Sequence, residues 1–331
     1  MLQQTRVETV IPYFERFLAR FPDVRALAAS CEEEVLALWS GLGYYRRARS
    51  LREAARRIEK EHAGGFPRSR AAALALPGIG PYTAGAVLSI AYGSPEPLVD
   101  GNVARLFARV FGLEAPLRST ALERELWRLA EILIPPAAAP GSGVDPSSWN
   151  QGLMELGATV CTPRKPRCLV CPLRERCVAL ETGRVDALPR AAPKRELVDV
   201  ALEVLWIRRT DGRVLIVRRP PTGRMAGMWE LPTRELAPVD VEPHLWPAQH
   251  PGLVGARLTV GEELASVRHG ITHHRIRATV RGGSCSRGPV SDDERWVDPG
   301  QLAELPLTGL TIKILKKPFV GLSARSPQRP G

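Results

Sequence analysis

No stretch of this 331-residue chain approaches about 18 uninterrupted apolar residues, so no transmembrane helix is expected. The first residues, MLQQTRVETVIPYF, lack the basic-then-apolar layout of a secretory signal. There is no internal repeat. Acidic residues are in deficit, with 35 Asp and Glu against 46 Lys and Arg, for a net charge of +11. That imbalance predicts a polyanionic partner, nucleic acid above all, and no membrane. A reducing, cytoplasmic setting is expected, which suits thiolates better than disulfides. Cysteine is scarce as well: six in all. Cys31 and Cys285 stand alone and are expected to be thiols without a role. The other four crowd together.

Cys161, Cys168, Cys171 and Cys177 read C-x6-C-x2-C-x5-C within CTPRKPRCLVCPLRERC. Four thiolates in so short a window can enclose one metal centre without long-range folding. Soft sulfur ligands suit an iron–sulfur cluster or zinc. The spacing is neither the paired CxxC of a zinc ribbon nor the Cys/His set of a zinc finger. A [4Fe-4S] cluster is the favoured occupant; structural zinc and disulfides are the alternatives. Arg164, Lys165, Arg167, Arg174 and Arg176 fall between the cysteines, which predicts a rigid loop pressed onto phosphates.

The chain is long enough for two domains. Residues 1–182 read as helical: VETVIPYFERFLARF, EEEVLALWSGLG, RRARSLREAARRIEKEH and ALERELWRLAEILI carry apolar residues at helical spacing. PPAAAPGSGVDP predicts an exposed loop. Residues 183–195 read as a linker. From 196 to 322 the texture is α/β: two alternating runs flank Thr210-Asp211-Gly212, a strong hairpin signal. Further strands are predicted in ASVRHGITHHRIRATVRGG and ERWVDP, with a closing helix in TGLTIKILKKPF. The tail 323–331 is expected to be disordered.

Two short motifs carry chemistry. Leu76-Pro77-Gly78-Ile79-Gly80 lies between helical segments, where Gly78 and Gly80 permit a tight turn opening onto a helix N-terminus, a concavity suited to one phosphate. Asp100 follows an apolar helix in VDGNV. A lone Asp before Gly is ordinarily a turn or N-cap residue; beside the hairpin and the cysteine loop the combination is far more specific.

These features resemble the helix–hairpin–helix DNA glycosylase superfamily that includes endonuclease III, and within it the adenine DNA glycosylases of the MutY type. MLQQTRVETVIPYFERF, WSGLGYYRRARSL, LPGIGPYTAGAVLSIAYG, VDGNVARLFARV and NQGLMELGATVCTPRKPRCLVCPL carry the likeness, which extends over almost the whole chain. It implies a multidomain protein: an all-α helix–hairpin–helix glycosylase domain with a [4Fe-4S] loop, then an α/β Nudix-like domain. It implies removal of adenine mispaired with 8-oxoguanine or guanine in double-stranded DNA, by a monomer. Asp100 matches the catalytic aspartate that stabilises a cationic sugar, and Asn102 would position it and the water. Tyr82 occupies the site of the nucleophilic lysine of bifunctional relatives, so hydrolysis without lyase chemistry is expected. Leu2, Gln4, Thr5, Leu42 and Tyr44 match residues that enter the duplex and contact the estranged base. Gly78, Gly80, Arg164 and Lys165 would hold DNA phosphates.

The second domain has no G-x5-E-x7-REUxEExGU run, so diphosphate hydrolysis is not expected. Ile271, Thr272 and His273 stand where the family carries a Phe-Ser-His reader of 8-oxoguanine; Thr keeps the hydroxyl and Ile loses an aromatic surface. The family's general-acid glutamate falls two positions ahead of Met1. Residues 1–331 alone are therefore expected to be impaired, with translation starting further upstream. An endonuclease III-like glycosylase/lyase and a non-catalytic mispair binder are the alternative readings.

Overall fold

The computed structural model describes residues 1, 5, 7–134, 145–191, 196–237, 242–250, 253, 258–285 and 292–320. Leu2 and Gln4 and the tail 323–331 lie outside them. The chain divides into two compact units: residues 57–194, and residues 1–56 together with 195–331. In chain order the helices are α1 (Val7–Arg20), α2 (Val24–Ala29), α3 (Glu32–Trp39), α4 (Arg46–Glu61), α5 (Arg70–Leu74), α6 (Pro81–Tyr92), α7 (Gly101–Val110), α8 (Thr120–Leu133), α9 (Pro146–Glu155) and α10 (Val178–Glu181). The strands are β1 (Val198–Ile207), β2 (Val214–Arg218), β3 (Trp229–Glu230), β4 (Thr233–Glu235), β5 (Leu258–Ile271), β6 (His274–Cys285) and β7 (Glu294–Val297), and α11 (Gly309–Leu315) follows.

Short polar side chains set most helix starts. Asp23, Ser69, Asp100, Ser119 and Asp145 sit at N-caps and accept backbone N–H groups of the first turn, which satisfies donors that have no partner inside the helix. Proline at the first helical position of α6 and α9 loses nothing there. In the 57–194 unit, Val103, Leu106 and Phe107 of α7 are buried with Leu122, Leu126 and Leu129 of α8 and with Leu98. α6 packs on α9, where the buried Asn150 donates to Ser89 Oγ and to the Glu96 carbonyl, both at 2.9 Å. The chain passes so close to α6 that a Cβ on Gly85 would lie 2.1 Å from the Pro97 carbonyl oxygen.

In the other unit, Val10 and Phe17 of α1 pack with Phe21, Val35, Leu36 and Trp39, and Phe17 meets Phe21 and Trp39 edge-on. The α/β segment has two sheets, ordered β4-β1-β6-β5 and β3-β2-β7. β1 runs parallel to β6, while β5 and β6 form an antiparallel hairpin. Along β6 the alternate residues His274, Ile276, Ala278 and Val280 are buried, the period expected of a strand with one covered face. Leu310 and Ile314 of α11 complete that core.

The turn predicted at Thr210-Asp211-Gly212 forms, with Gly212 at φ +89° and Arg209 N–H donating to the Arg213 carbonyl at 2.8 Å. The ladder expected beyond it does not. One bridge, Arg208 to Val214, joins the two runs before β1 and β2 enter different sheets. β1 takes β6 and β4 as neighbours, and β2 takes β3 and β7. Local turn chemistry fixes the reversal, while long-range pairing chooses the partners. Among the described residues no helix is long and apolar enough to cross a membrane.

Replacing Gly85 by Ala should destabilise the protein by about 1–3 kcal/mol, because the added methyl meets backbone and not a movable side chain. Urea titration followed by circular dichroism checks this; an unchanged midpoint would refute the close approach.

Candidate functional site

Asp100 caps α7 and is fixed from three directions. Its Oδ1 accepts the N–H groups of Asn102 (2.9 Å) and Val103 (2.7 Å), and its Oδ2 accepts the Asn102 Nδ2 amide (3.0 Å). The Asn102 amide is oriented in turn, since Arg105 Nη2 donates to its Oδ1 at 2.9 Å. Arg105 sits one turn along α7 and reaches out of the helix. Its Nε donates to the Cys161 carbonyl (2.7 Å) and its Nη2 to the Gly157 carbonyl (2.6 Å). One planar guanidinium thus ties the Asp100–Asn102 pair to the start of the cysteine loop.

That contact needs a particular backbone. α9 runs into a single π-helical turn, Leu156–Val160, that ends at Cys161. π-turns inside helices recur at functional sites because they re-aim carbonyls. Gly157 lies in this turn, and a Cβ there would come within 2.7 Å of the Asn102 carbonyl oxygen and 2.8 Å of its Cβ. Tyr82, in the first turn of α6, lies near enough to Asp100 to feel its charge. Burial pushes the phenol up from its ordinary range and Asp100 adds to this. The phenol is therefore neutral at pH 7, and its Oη approaches Met154 Sδ at 3.7 Å. In the hairpin ahead of α6, Gly78 adopts φ +78° and Ile79 N–H closes the turn onto the Leu76 carbonyl at 3.2 Å. Gly80 caps the helix.

The four loop cysteines line one pocket with Leu106, Arg109 and Val110, and none of the six cysteines is in a disulfide. Burial, then the other three cysteines, push the Cys168 thiol up. Arg109 is 3% exposed. Its guanidinium donates to the carbonyls of Leu188 (2.9 Å) and Thr162 (2.7 Å) and reaches Cys161 Sγ at 3.5 Å. A buried cation served by carbonyls and a sulfur calls for a compensating anionic group, which four thiolates around an iron–sulfur cluster provide. Among the described residues no three His, Cys, Asp or Glu side chains gather tightly enough for a single ion. Four thiols lining one pocket offer the all-sulfur donor set that an iron–sulfur cluster takes. Arg164 and Lys165 are exposed on this loop, as are Leu169 (86%) and Val170 (67%).

The remaining predicted residues lie in the other unit. Gly41 and Gly43 take φ of +98° and +74°, and Tyr44 itself takes +52°. Tyr44 is 56% exposed, with the Arg47 guanidinium 5.1 Å from its ring centre. Leu42 is 7% exposed and packs in the helical cluster. Thr5 is half-buried ahead of α1. Ile271 pairs with His274, which leaves Thr272 and His273 as the two-residue turn of the β5–β6 hairpin. Thr272 has φ +55°, an uncommon conformation for a β-branched residue. Its Oγ1 donates to the Ile271 carbonyl at 2.7 Å and lies 3.4 Å from His273 Nδ1.

Arg105, Arg109 and Gly157 are the site residues that the sequence reading missed. Arg105 and Arg109 follow Asn102 at helical spacing, which was a signal; their acceptors, more than fifty positions away, were not legible.

The HhH-GPD superfamily of base excision DNA repair proteins matches residues 1–131, the iron–sulfur binding domain of endonuclease III residues 161–177, and the NUDIX domain residues 203–317. The chain is 37% identical to the adenine DNA glycosylase of Mus musculus over 351 aligned positions, covering 90% of this chain and 66% of that protein. It is 41% identical to the adenine DNA glycosylase of Buchnera aphidicola subsp. Acyrthosiphon pisum over 197 positions, 60% of this chain and 54% of that one. The matches thus span between half and two thirds of these relatives' lengths. Among solved structures, a thermostable thymine-DNA glycosylase aligns with 31% identity and a TM-score of 0.47, covering 55% of this chain and 80% of that one.

Stripping the iron should release the loop held by Cys161–Cys177. Trypsin should then cut after Arg164, Arg174 and Arg176 at least about tenfold faster, as expected when local opening governs cleavage. Mass spectrometry of the fragments checks this; equal rates with and without iron would refute a cluster-held loop.

Proposed function

We propose that this chain, whose residues 1–131 match the HhH-GPD superfamily of base excision DNA repair proteins, is a member of that superfamily and hydrolyses the N-glycosidic bond of adenine mispaired with 8-oxoguanine or guanine. The observation that carries the proposal is the Asp100 carboxylate, locked by three N–H groups beside a neutral phenol in place of an amine. Departure of adenine leaves positive charge on the sugar. A carboxylate already fixed where that charge develops stabilises it without reorganisation. Asn102, held by Arg105, fixes the rotamer of Asp100 and orients water for attack. Tyr82 cannot form a Schiff base, so strand cleavage by β-elimination is not part of the reaction. The target adenine leaves the stack first, since its reacting bond is inaccessible within a duplex.

The cysteine loop is an iron–sulfur binding domain, and Cys161, Cys168, Cys171 and Cys177 hold the [4Fe-4S] cluster. Bound there, the cluster supplies a rigid anionic staple. Arg164 and Lys165 on that loop, with the turn at Gly78 and Gly80, contact phosphates. Tyr44 enters the duplex, and Thr272 and His273 read the oxidised guanine across from the adenine. The protein works as a monomer on double-stranded DNA in the cytoplasm.

Single-turnover adenine release from a duplex with adenine opposite 8-oxoguanine tests the reading, with the upstream glutamate segment attached to residues 1–331. Asp100→Asn should slow release by about a hundredfold to a thousandfold, the scale for a lost electrostatic stabiliser. Release at the parental rate, or trapping of the protein on DNA by borohydride, would overturn it. Thr272→Asn should stabilise the fold by about 1 kcal/mol, because Asn tolerates the left-handed backbone, while weakening the preference for 8-oxoguanine over guanine. A thermal melt beside the two release rates reads both effects.

A further inference from the structure

The loop carrying Tyr44 and the turn carrying Thr272 belong to the same unit although they are more than 220 positions apart in the chain. The connection between them is specific. Met228 is fully buried in the cluster formed by α1, α3 and their neighbours, and the next residue, Trp229, is fully buried in the core of the α/β segment. Trp229 keeps one polar edge toward the helices: its Nε1 donates to Glu33 Oε1 of α3 at 3.0 Å. Arg295 of β7 donates to the same oxygen at 3.1 Å, with its guanidinium 4.4 Å above the Trp229 ring. Nearby, Arg49 of α4 joins Glu32 Oε1 (2.7 Å) to the Ala226 carbonyl.

A second clasp holds both ends of the Tyr44 loop. Ser40 Oγ and Tyr45 Oη converge on the Leu307 carbonyl at 3.3 and 3.4 Å. The segment around Leu307 is laced to Trp229, whose N–H donates to the Pro306 carbonyl and whose carbonyl accepts the Thr308 N–H, each at 2.9 Å. Thr308 caps α11. A Cβ on Gly309, the first residue of α11, would touch the His269 ring at 3.4 Å, and His269 lies two residues before Ile271 on β5.

We propose that Glu33 and Tyr45, through Trp229, Arg295 and Leu307, set the register between the Tyr44 loop and the Thr272 turn, and are positioning residues for discrimination of the base opposite adenine. This rests on the glycosylase reading above. A reader built from two segments binds one base pair tightly only when both are already spaced for it, because ordering them at the moment of binding costs affinity. Contacts to phosphates elsewhere do not need that spacing. Disturbing the clasps should therefore remove selectivity while general DNA affinity is retained.

Equilibrium binding by the full chain tests this without depending on catalysis. Three duplexes are compared: a non-hydrolysable adenine analogue opposite 8-oxoguanine, the same analogue opposite guanine, and a fully paired control. Glu33→Lys, which faces Arg295 with a like charge, should lower the preference for the oxidised duplex about tenfold, and Tyr45→Phe, which deletes one oxygen, about threefold, both within the range of coupling between contacting residues. Glu33→Gln, which can still accept from Trp229, should keep most of the preference. Affinity for the paired control should stay within about twofold throughout, as expected when phosphate contacts are untouched. Undiminished preference in Tyr45→Phe, or in a Glu33→Lys protein that melts like the parent, overturns the proposal. A parent with no preference at all overturns the glycosylase reading, and this inference with it.

Discussion

The site in residues 57–194 depends on how closely Gly157 approaches Asn102. With no side chain at 157, the π-helical turn lies against the start of α7, and its carbonyl comes within 2.6 Å of Arg105. That one contact lets a single guanidinium serve two ends of the unit. Toward α7 it fixes the amide that fixes Asp100, and toward the loop it holds the carbonyl of Cys161. Arg109, one turn further along α7, continues the same device, as its charge is spent on loop carbonyls and a cysteine sulfur. A helix capped by the carboxylate proposed to stabilise the sugar cation thus carries that carboxylate's support on the following two turns. The cysteine loop is part of the scaffold of Asp100 and not an appendage to it.

The parts of this arrangement that depend on local chemistry were legible in the sequence. Cysteine spacing named the iron–sulfur loop, and an Asp ahead of Gly-Asn-Val marked the cap of α7. Pro81 after two glycines marked the start of α6, and the alternation after residue 196 marked strands. The β5–β6 hairpin and α11 arose where their patterns stood. The parts set by tertiary distance were not legible. Arg105 and Arg109 show no role until their acceptors at Gly157, Cys161 and Thr162 are placed beside them. Gly157 carries no signal of its own, since nothing nearby in sequence shows what a methyl group would strike.

The Asp211-Gly212 turn shows the same divide within one element. Its backbone reversal is a local property and formed as its residues dictate. Whether the flanking strands then pair depends on which other strands compete for their edges, and β6 and β7 outcompete the hairpin partner on either side. Leu42 and Tyr44 separate in a similar way. Both sit in one glycine-rich loop, yet the positive φ values at Gly41 and Gly43 turn Leu42 into the core and leave Tyr44 in solvent.

The discontinuity of the unit formed by residues 1–56 and 195–331 has a consequence for synthesis. α1, α2 and α3 leave the ribosome while the residue that completes their core, Met228, is still untranslated, with all of residues 57–194 to come between. At about 5–20 residues per second, those helices wait on the order of ten seconds with apolar surface uncovered. The 57–194 unit is continuous in sequence and closes as soon as Cys177 and the residues just beyond it emerge. Order of assembly is therefore written into the chain: the inserted unit matures first, and the unit split around it is the last to be finished.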